Sequence, residues 1–161
     1  MITYRKAVIE DCKALTEIRI ANLDEHEKTE PGNERELLRK TIQQYFETAI
    51  ADGSLITWLA CDGSKIISTS GVSFFTATPS LSNLSGMTGY ITNMYTYPDY
   101  RRRGIGGKLL ELTVEEATAL GCGRVVLYTT KMGKAIYERF GFVESHGYMT
   151  YQTSRGKSSC T

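Results

Sequence analysis

One segment of the chain, residues 90–130, constrains the fold more than any other. It begins with the alternating run YITNMYTY, typical of a half-buried strand, and ends with RVVLYTT, typical of a strand buried on both faces. Between these runs lies a helical pattern that begins after Gly104 and stops at Gly121. A strand, a helix and a strand in this order predict two parallel strands joined by a crossover.

The rest of the chain predicts further elements around that crossover. Strands are expected at residues 2–6, 55–61, 66–75 and 146–153, and helices at residues 9–23 and 33–51 and within 131–144. We therefore expect a single α/β (α+β) domain over residues 1–153, with a flexible tail at 154–161. Its mixed central sheet should have about six to seven strands, flanked by about four helices.

Composition argues against several functional classes. The 161 residues are 41% hydrophobic and carry a formal net charge of +1, so the surface is not built for nucleic acid or an anionic membrane. The longest mostly apolar run, residues 55–61, is far shorter than the ~20 residues of a membrane helix. The four cysteines form no CxxC pair, and only two histidines are present, so we expect no metal site and a cytoplasmic protein with reduced thiols.

The stretch DYRRRGIGG, residues 99–107, places arginines and glycines at the start of the predicted helix. Backbone N–H groups and the helix dipole can hold an anion at such a position. A Walker A loop ending at Gly107-Lys108 would need glycine at 102 and serine or threonine at 109, and neither is present. A dinucleotide fingerprint beginning at Gly104 would also need glycine at 109, which is leucine. A nucleic-acid patch is disfavoured because the cluster has only three arginines.

The order Arg101-x-x-Gly104-x-Gly106 resembles the acetyl-CoA loop of the GNAT superfamily of N-acetyltransferases. Residues 133–142, GKAIYERFGF, resemble a second signature of that family, a short helix with a tyrosine followed by Gly-Phe. The order of predicted elements also agrees over residues 1–153. The resemblance implies acetyl-CoA as co-substrate, no metal, and transfer of the acetyl group to a primary amine of a small molecule or peptide by direct attack in a ternary complex.

The resemblance also implies where the cofactor binds. The strand at residues 93–97 would splay from the strand at 125–129, and pantetheine would pair with the backbone exposed in the gap. The glycines would clear space for N–H groups beside the pyrophosphate, and the arginines would supply charge-assisted hydrogen bonds, although not all three can point inward. The residues expected to bind the cofactor are Met94, Tyr95, Thr96, Arg101, Arg102, Arg103, Gly104, Ile105, Gly106 and Gly107.

For catalysis, Tyr137 aligns with the tyrosine that resembles the family's general acid. A phenol, with a pKa of about 10, can deliver a proton to a thiolate whose conjugate acid has a pKa of about 8.5. Many relatives place a glutamate on the strand before the loop, but residues 90–95 contain no carboxylate. Glu25, His26 and Glu27 are candidate bases acting through water, and no base is assigned.

The acceptor pocket is expected between residues 22–36 and 76–89. Residues 24–36 hold six acidic and two basic side chains, a local balance of −4 that would attract a cationic amine, or simply form a solvated surface. An aromatic lining is also considered, although strand aromatics commonly belong to the core. The alternative function is a CoA-binding sensor or interaction module with little catalysis. A homodimer is left open. The aromatic residues concerned are Trp58, Tyr90, Tyr95 and Tyr97.

Overall fold

The computed structural model of the protein describes residues 1–26 and 32–145. These residues fall into two compact units, Met1–Tyr128 and a second unit that begins at Thr129. Short 3-10 turns at Ile9–Asp11 and Pro98–Tyr100 precede the first and third helices. The first unit contains β1 (Ile2–Lys6), α1 (Cys12–His26), α2 (Asn33–Ala51), β2 (Leu55–Asp62), β3 (Lys65–Thr76), β4 (Met87–Thr96), α3 (Ile105–Ala119) and β5 (Arg124–Leu127), and the second contains α4 (Lys134–Phe140).

The strands form one sheet in the order β1-β2-β3-β4-β5. The first four strands are antiparallel neighbours, whereas β4 and β5 are parallel and are joined by α3. The predicted crossover and the α+β class are therefore confirmed. The described residues form five strands, fewer than the six to seven predicted. The predicted strand at residues 146–153 and the tail at 154–161 lie outside the described residues.

The prediction for β5 was wrong in length and burial. Residues 124–130 were expected to form a strand buried on both faces, but β5 ends at Leu127 and none of its four residues is fully buried. Its pairing with β4 runs only from Thr88↔Arg124 to Ile91↔Leu127. Within the described part of the sheet β5 has a neighbour on one side only, which leaves it more exposed than a central strand.

Helices cover both faces of the sheet. On one face, α1 and α2 pack against β2 through a cluster that includes Leu15, Phe46, Leu55 and Leu59. On the other face, α3 packs through Ile105 and Leu109, which are 2% and 0% exposed. Burying such an aliphatic side chain stabilises the fold by about 1.5–3 kcal/mol. The first turn of α3 is thereby fixed against Ala60 of β2 and Ile67 of β3.

The glycines flanking α3 set its limits as predicted. Gly104 precedes the helix with φ 78°, and Gly121 follows it with φ 86°, both in the left-handed region that glycine adopts at little cost. The predicted bounds of α2 are confirmed, and α4 ends at Gly141 as expected. Within the described ranges, no helix is both long and apolar enough to cross a membrane.

Candidate functional site

β4 changes course near its C-terminal end. Its pairing with β3 passes from Gly71↔Thr92 to Thr69↔Tyr95, so two residues of β4 lie opposite one residue of β3. This is a β-bulge, and its first residue, Asn93, has φ 56°. β4 then runs on to Thr96, although its pairing with β5 has already ended at Ile91. We call residues 93–96 the β4 tail. Among the described residues, β4 and β5 are not paired beyond Ile91↔Leu127.

Side chains from two directions hold the carbonyl groups of the β4 tail. The hydroxyl of Thr69 donates to the carbonyl oxygen of Asn93 at 2.7 Å, and that of Ser68 donates to the carbonyl oxygen of Tyr95 at 2.8 Å. From the other direction, Arg101 Nε donates to the carbonyl oxygen of Thr96 at 2.8 Å. The tail is therefore fixed both to β3 and to the arginine-glycine loop. No pattern in the sequence predicted the bulge; a signal that could have indicated it is Asn93, because asparagine is several-fold enriched among non-glycine residues with positive φ.

The arginine-glycine loop, residues 101–107, presents unpaired amide groups at the start of α3. Among the described residues, the amides of 102–107 donate to no backbone carbonyl, and Lys108 donates to Gly104 at 3.0 Å. No side chain of residues 1–26 or 32–145 caps the helix, and its first turn has no acidic residue. Arg102, with φ 60°, and Gly104, with φ 78°, bend the chain into this conformation. The positive end of the helix dipole is thus open to an anion.

The three arginines of the loop point to different partners. Arg101 donates through Nη2 to both carboxylate oxygens of Glu25, at 2.8 and 2.7 Å, and its guanidinium lies 5.5 Å from the centre of the Tyr95 ring. The guanidinium of Arg103 lies 5.2 Å from the centre of the Tyr100 ring. Arg102 is exposed. The side chain of Arg101 is therefore held against α1, and those of Arg102 and Arg103 lie nearer to solvent.

Glu25, a candidate base in the sequence, accepts hydrogen bonds from both Tyr95 and Arg101. Tyr95 donates its hydroxyl to Glu25 at 2.6 Å, in addition to the two bonds from Arg101. Burial opposes the charged form, but the hydrogen bonds from Tyr95 and Arg101 outweigh it and hold the pKa of Glu25 below its usual range. Burial, together with the Glu25 carboxylate, raises the pKa of Tyr95 to about 12. Glu25 is thus ionised, paired and a weak base at neutral pH.

The acidic residues predicted to border the acceptor pocket are partly neutralised. Arg35 donates to both oxygens of Asp24 at 2.6 Å, and Glu25 is paired with Arg101. Glu27, Glu30 and Lys28 lie outside the described residues. Fewer unpaired carboxylates are therefore available to attract a cationic amine than the sequence predicts.

The four aromatic residues considered for the pocket do not form one group. The rings of Tyr95 and Tyr97 meet edge to face at 5.4 Å beside Glu25, and Tyr95 is only 7% exposed. Trp58 instead packs with the cluster beneath α3, on the other face of the sheet. Tyr90 pairs with Ser73 of β3 and is partly exposed. Tyr95 thus belongs both to the β4 tail and to the buried part of the sheet.

In the second unit, the candidate acid Tyr137 lies on α4. Its ring meets that of Phe142 edge to face at 5.9 Å, and a Cβ placed on Gly133 would stand 3.1 Å from its Cε2 atom. Burial raises the pKa of Tyr137, so the phenol keeps its proton at neutral pH, as a general acid must.

The described residues contain no group of three or more His, Cys, Asp or Glu side chains that could hold a metal ion. Their cysteines, Cys12, Cys61 and Cys122, are free thiols, and Cys160 lies outside the described part of the chain.

The sequence matches the model of the acetyltransferase (GNAT) family over residues 17–142. The chain belongs to the GNAT acetyltransferase family. This GNAT protein is accordingly an enzyme that carries out acetyl transfer dependent on acetyl-CoA. The match begins within α1 and includes the arginine-glycine loop and Tyr137, so it leaves out β1, the 3-10 turn Ile9–Asp11 and the first residues of α1.

Several solved structures resemble this GNAT acetyltransferase. A predicted acetyltransferase from Clostridium acetobutylicum, solved with acetyl-CoA, is 32% identical, and the match covers 94% of this chain and 96% of that chain with a TM-score of 0.86. A GCN5-related N-acetyltransferase from Ralstonia eutropha is 24% identical, with coverages of 94% and 99% and a TM-score of 0.84. Glucosamine-6-phosphate N-acetyltransferase from Arabidopsis thaliana is 21% identical, with coverages of 94% and 98% and a TM-score of 0.71. A search of curated proteins finds no significant match.

Proposed function

We propose that this enzyme moves the acetyl group of acetyl-CoA to a primary amine of a small molecule or peptide, by direct attack in a ternary complex. The observation that carries the proposal is the open N-terminus of α3 beside the β4 tail, where the amide groups of residues 102–107 donate to no backbone carbonyl among the described residues. A pyrophosphate matches that site in charge and in its need for hydrogen-bond donors. A thioester arm extending from the pyrophosphate would reach the β4 tail, which lies beyond the last residue of β4 that pairs with β5.

Within this proposal the loop residues have different tasks. The amides of Gly104, Ile105, Gly106 and Gly107 hold the pyrophosphate, and the exposed side chains of Arg102 and Arg103 supply positive charge. Arg101 donates hydrogen bonds to the Thr96 carbonyl and the Glu25 carboxylate, and so fixes the loop relative to the β4 tail and α1. The backbone of Met94, Tyr95 and Thr96 pairs with pantetheine.

The proposed transfer can be written as a sequence of bonds and protons that balances. The amine nitrogen attacks the thioester carbonyl carbon, a C–N bond forms, and the carbonyl oxygen takes on negative charge that a backbone N–H of the tail stabilises. The C–S bond then breaks, and Tyr137 gives its proton to the leaving thiolate. The nitrogen, which carries one extra proton after the attack, releases it to water, and Tyr137 regains a proton from water. The attacking amine must have lost a proton beforehand, and an amine that is neutral in part of its population needs no enzymic base.

The proposal is tested by acetyl-CoA binding and by thiol release with a panel of amines: lysine, spermidine, glucosamine 6-phosphate and a peptide with a free N-terminus. We expect binding of acetyl-CoA and release of CoA with at least one amine. Arg102→Gln and Arg103→Gln should each weaken acetyl-CoA binding about tenfold, since a hydrogen bond to a charged group contributes about 1.5–3 kcal/mol when fully formed. Lys40→Gln, which removes an exposed charge from α2, is the matched control.

The alternatives give distinct results in the same experiments. A protein that binds acetyl-CoA tightly but acetylates no amine would favour the sensor or interaction module over the enzyme. Binding of DNA that weakens steeply with salt would favour a nucleic-acid partner instead. The cytoplasmic location and the absence of nucleic-acid and membrane partners stay predictions from the sequence, and a homodimer remains open.

A further inference from the structure

Two residues of β3 with buried hydroxyl groups, Ser68 and Thr69, pair with Thr96 and Tyr95 of the β4 tail. The side chains of Ser68 and Thr69 are 1% and 0% exposed, so water does not compete for their hydrogen bonds. Thr69 donates to the carbonyl oxygen of Asn93, and Ser68 donates to that of Tyr95. The hydroxyl of Ser68 also lies 2.7 Å from that of Thr96. Neither side chain has a part in the reaction described above.

These hydroxyls hold a segment whose backbone is costly to form. Asn93 has φ 56°, a conformation that costs free energy for any residue other than glycine, although asparagine tolerates it better than most. A bulge also interrupts the regular ladder and leaves carbonyl groups to be satisfied by other donors. Because the carbonyls of Asn93 and Tyr95 bond to β3 side chains, they are directed toward β3 and away from the side on which β4 outruns β5.

We propose that Thr69 and Ser68 are positioning residues for acetyl-CoA. They hold the β4 tail in the one conformation in which its backbone can pair with the pantetheine arm. Their hydroxyl protons also offset the negative charge of two carbonyl oxygens close to the place where the thioester oxygen becomes an oxyanion. This inference rests on the proposed function, since it requires that the tail contacts the arm of the cofactor.

The test separates the arm of the cofactor from its nucleotide end. The probes are acetyl-CoA and 3′-phospho-ADP, which carries the pyrophosphate but no pantetheine, and both dissociation constants are measured by calorimetry. Thr69→Val removes the hydroxyl and keeps the shape of the side chain. We expect it to weaken acetyl-CoA binding by roughly tenfold, the effect of losing about one hydrogen bond to the arm, and to leave binding of 3′-phospho-ADP unchanged. Thr69→Ser, which restores the hydroxyl, should restore acetyl-CoA binding.

Thr16→Val is the matched control, because Thr16 is 1% exposed and donates to the carbonyl oxygen of Cys12 at 2.8 Å, within α1. It should bind both probes as the wild type does. If Thr69→Val does not fold, Ser68→Ala removes the other β3 hydroxyl, and it should likewise weaken binding of acetyl-CoA but not of 3′-phospho-ADP.

The outcomes distinguish the inference from the function on which it rests. A wild-type protein that binds acetyl-CoA no better than 3′-phospho-ADP, or binds neither, would overturn the proposed function. A wild type that prefers acetyl-CoA, together with Thr69→Val and Ser68→Ala variants that keep this preference, would overturn the positioning role alone. Equal weakening of both probes would also count against it, because it would indicate a general loss of structure.

Discussion

The ion pair between Glu25 and Arg101 gives the sharpest prediction, because it joins α1 to the arginine-glycine loop across 76 residues of sequence. Glu25→Gln keeps the size of the side chain and removes its charge. The carboxylate accepts three hydrogen bonds, two from Arg101 and one from Tyr95, and the side chains of Arg101 and Glu25 are 31% and 27% exposed. Glutamine can still accept the bond from Tyr95.

The magnitude follows from this partial burial. Hydrogen bonds to charged groups contribute about 1.5–3 kcal/mol each, whereas exposed ion pairs contribute about 0–1 kcal/mol. The Glu25–Arg101 pair lies between these cases, so Glu25→Gln should lower the free energy of unfolding by about 1–2 kcal/mol at pH 7. The matched control is Glu36→Gln, since Glu36 is 58% exposed and lies 3.8 Å from Arg39. Its effect should be at most about 0.5 kcal/mol.

Urea unfolding as a function of pH measures both the size and the cause. Because the pKa of Glu25 is lower in the folded protein than in the unfolded chain, its contribution is fully present above the unfolded pKa of about 4.3. The contribution is lost as pH falls through the folded pKa, so the gap between wild type and Glu25→Gln should narrow below about pH 4. Equal stability of the two proteins at pH 7 would refute the reasoning.

Two further predictions concern the acid and the loop. Tyr137→Phe should lower kcat by roughly 10²–10⁴-fold, the usual contribution of a general acid, while the dissociation constant of acetyl-CoA stays the same; wild-type turnover would remove Tyr137 from the mechanism. In urea unfolding, Gly107→Ala should raise the free energy of unfolding by up to about 1 kcal/mol, because a helical Cβ there meets no atom of the described residues within 4 Å. Gly104→Ala should lower it by about 1–2 kcal/mol, because φ is 78° there and alanine is strained. A loss of stability in both alanine variants would contradict this account of the helix start.

The sequence predicted most of the elements because their signals are local. The spacing of apolar residues over 33–51 predicted α2 to the residue, and the glycines at 104 and 121 predicted the limits of α3. A β-hairpin turn or a helix stop depends on a few neighbouring side chains, so it can be found without knowing the partner. The length of β5 could not be found in this way, since burial depends on which strands lie beside it.

For the arginine-glycine loop, some properties follow from the sequence alone and others depend on the tertiary structure. Its sequence alone determined that a run of amides and positive charges would stand at a helix start, because glycine conformation and helix polarity are local properties. Only the tertiary structure decided that Arg101 turns to Glu25 and that Thr69 and Ser68 hold the bulge at Asn93. Those contacts join residues far apart in the chain. They depend on distance and burial in the folded protein, and a local sequence pattern does not contain that information.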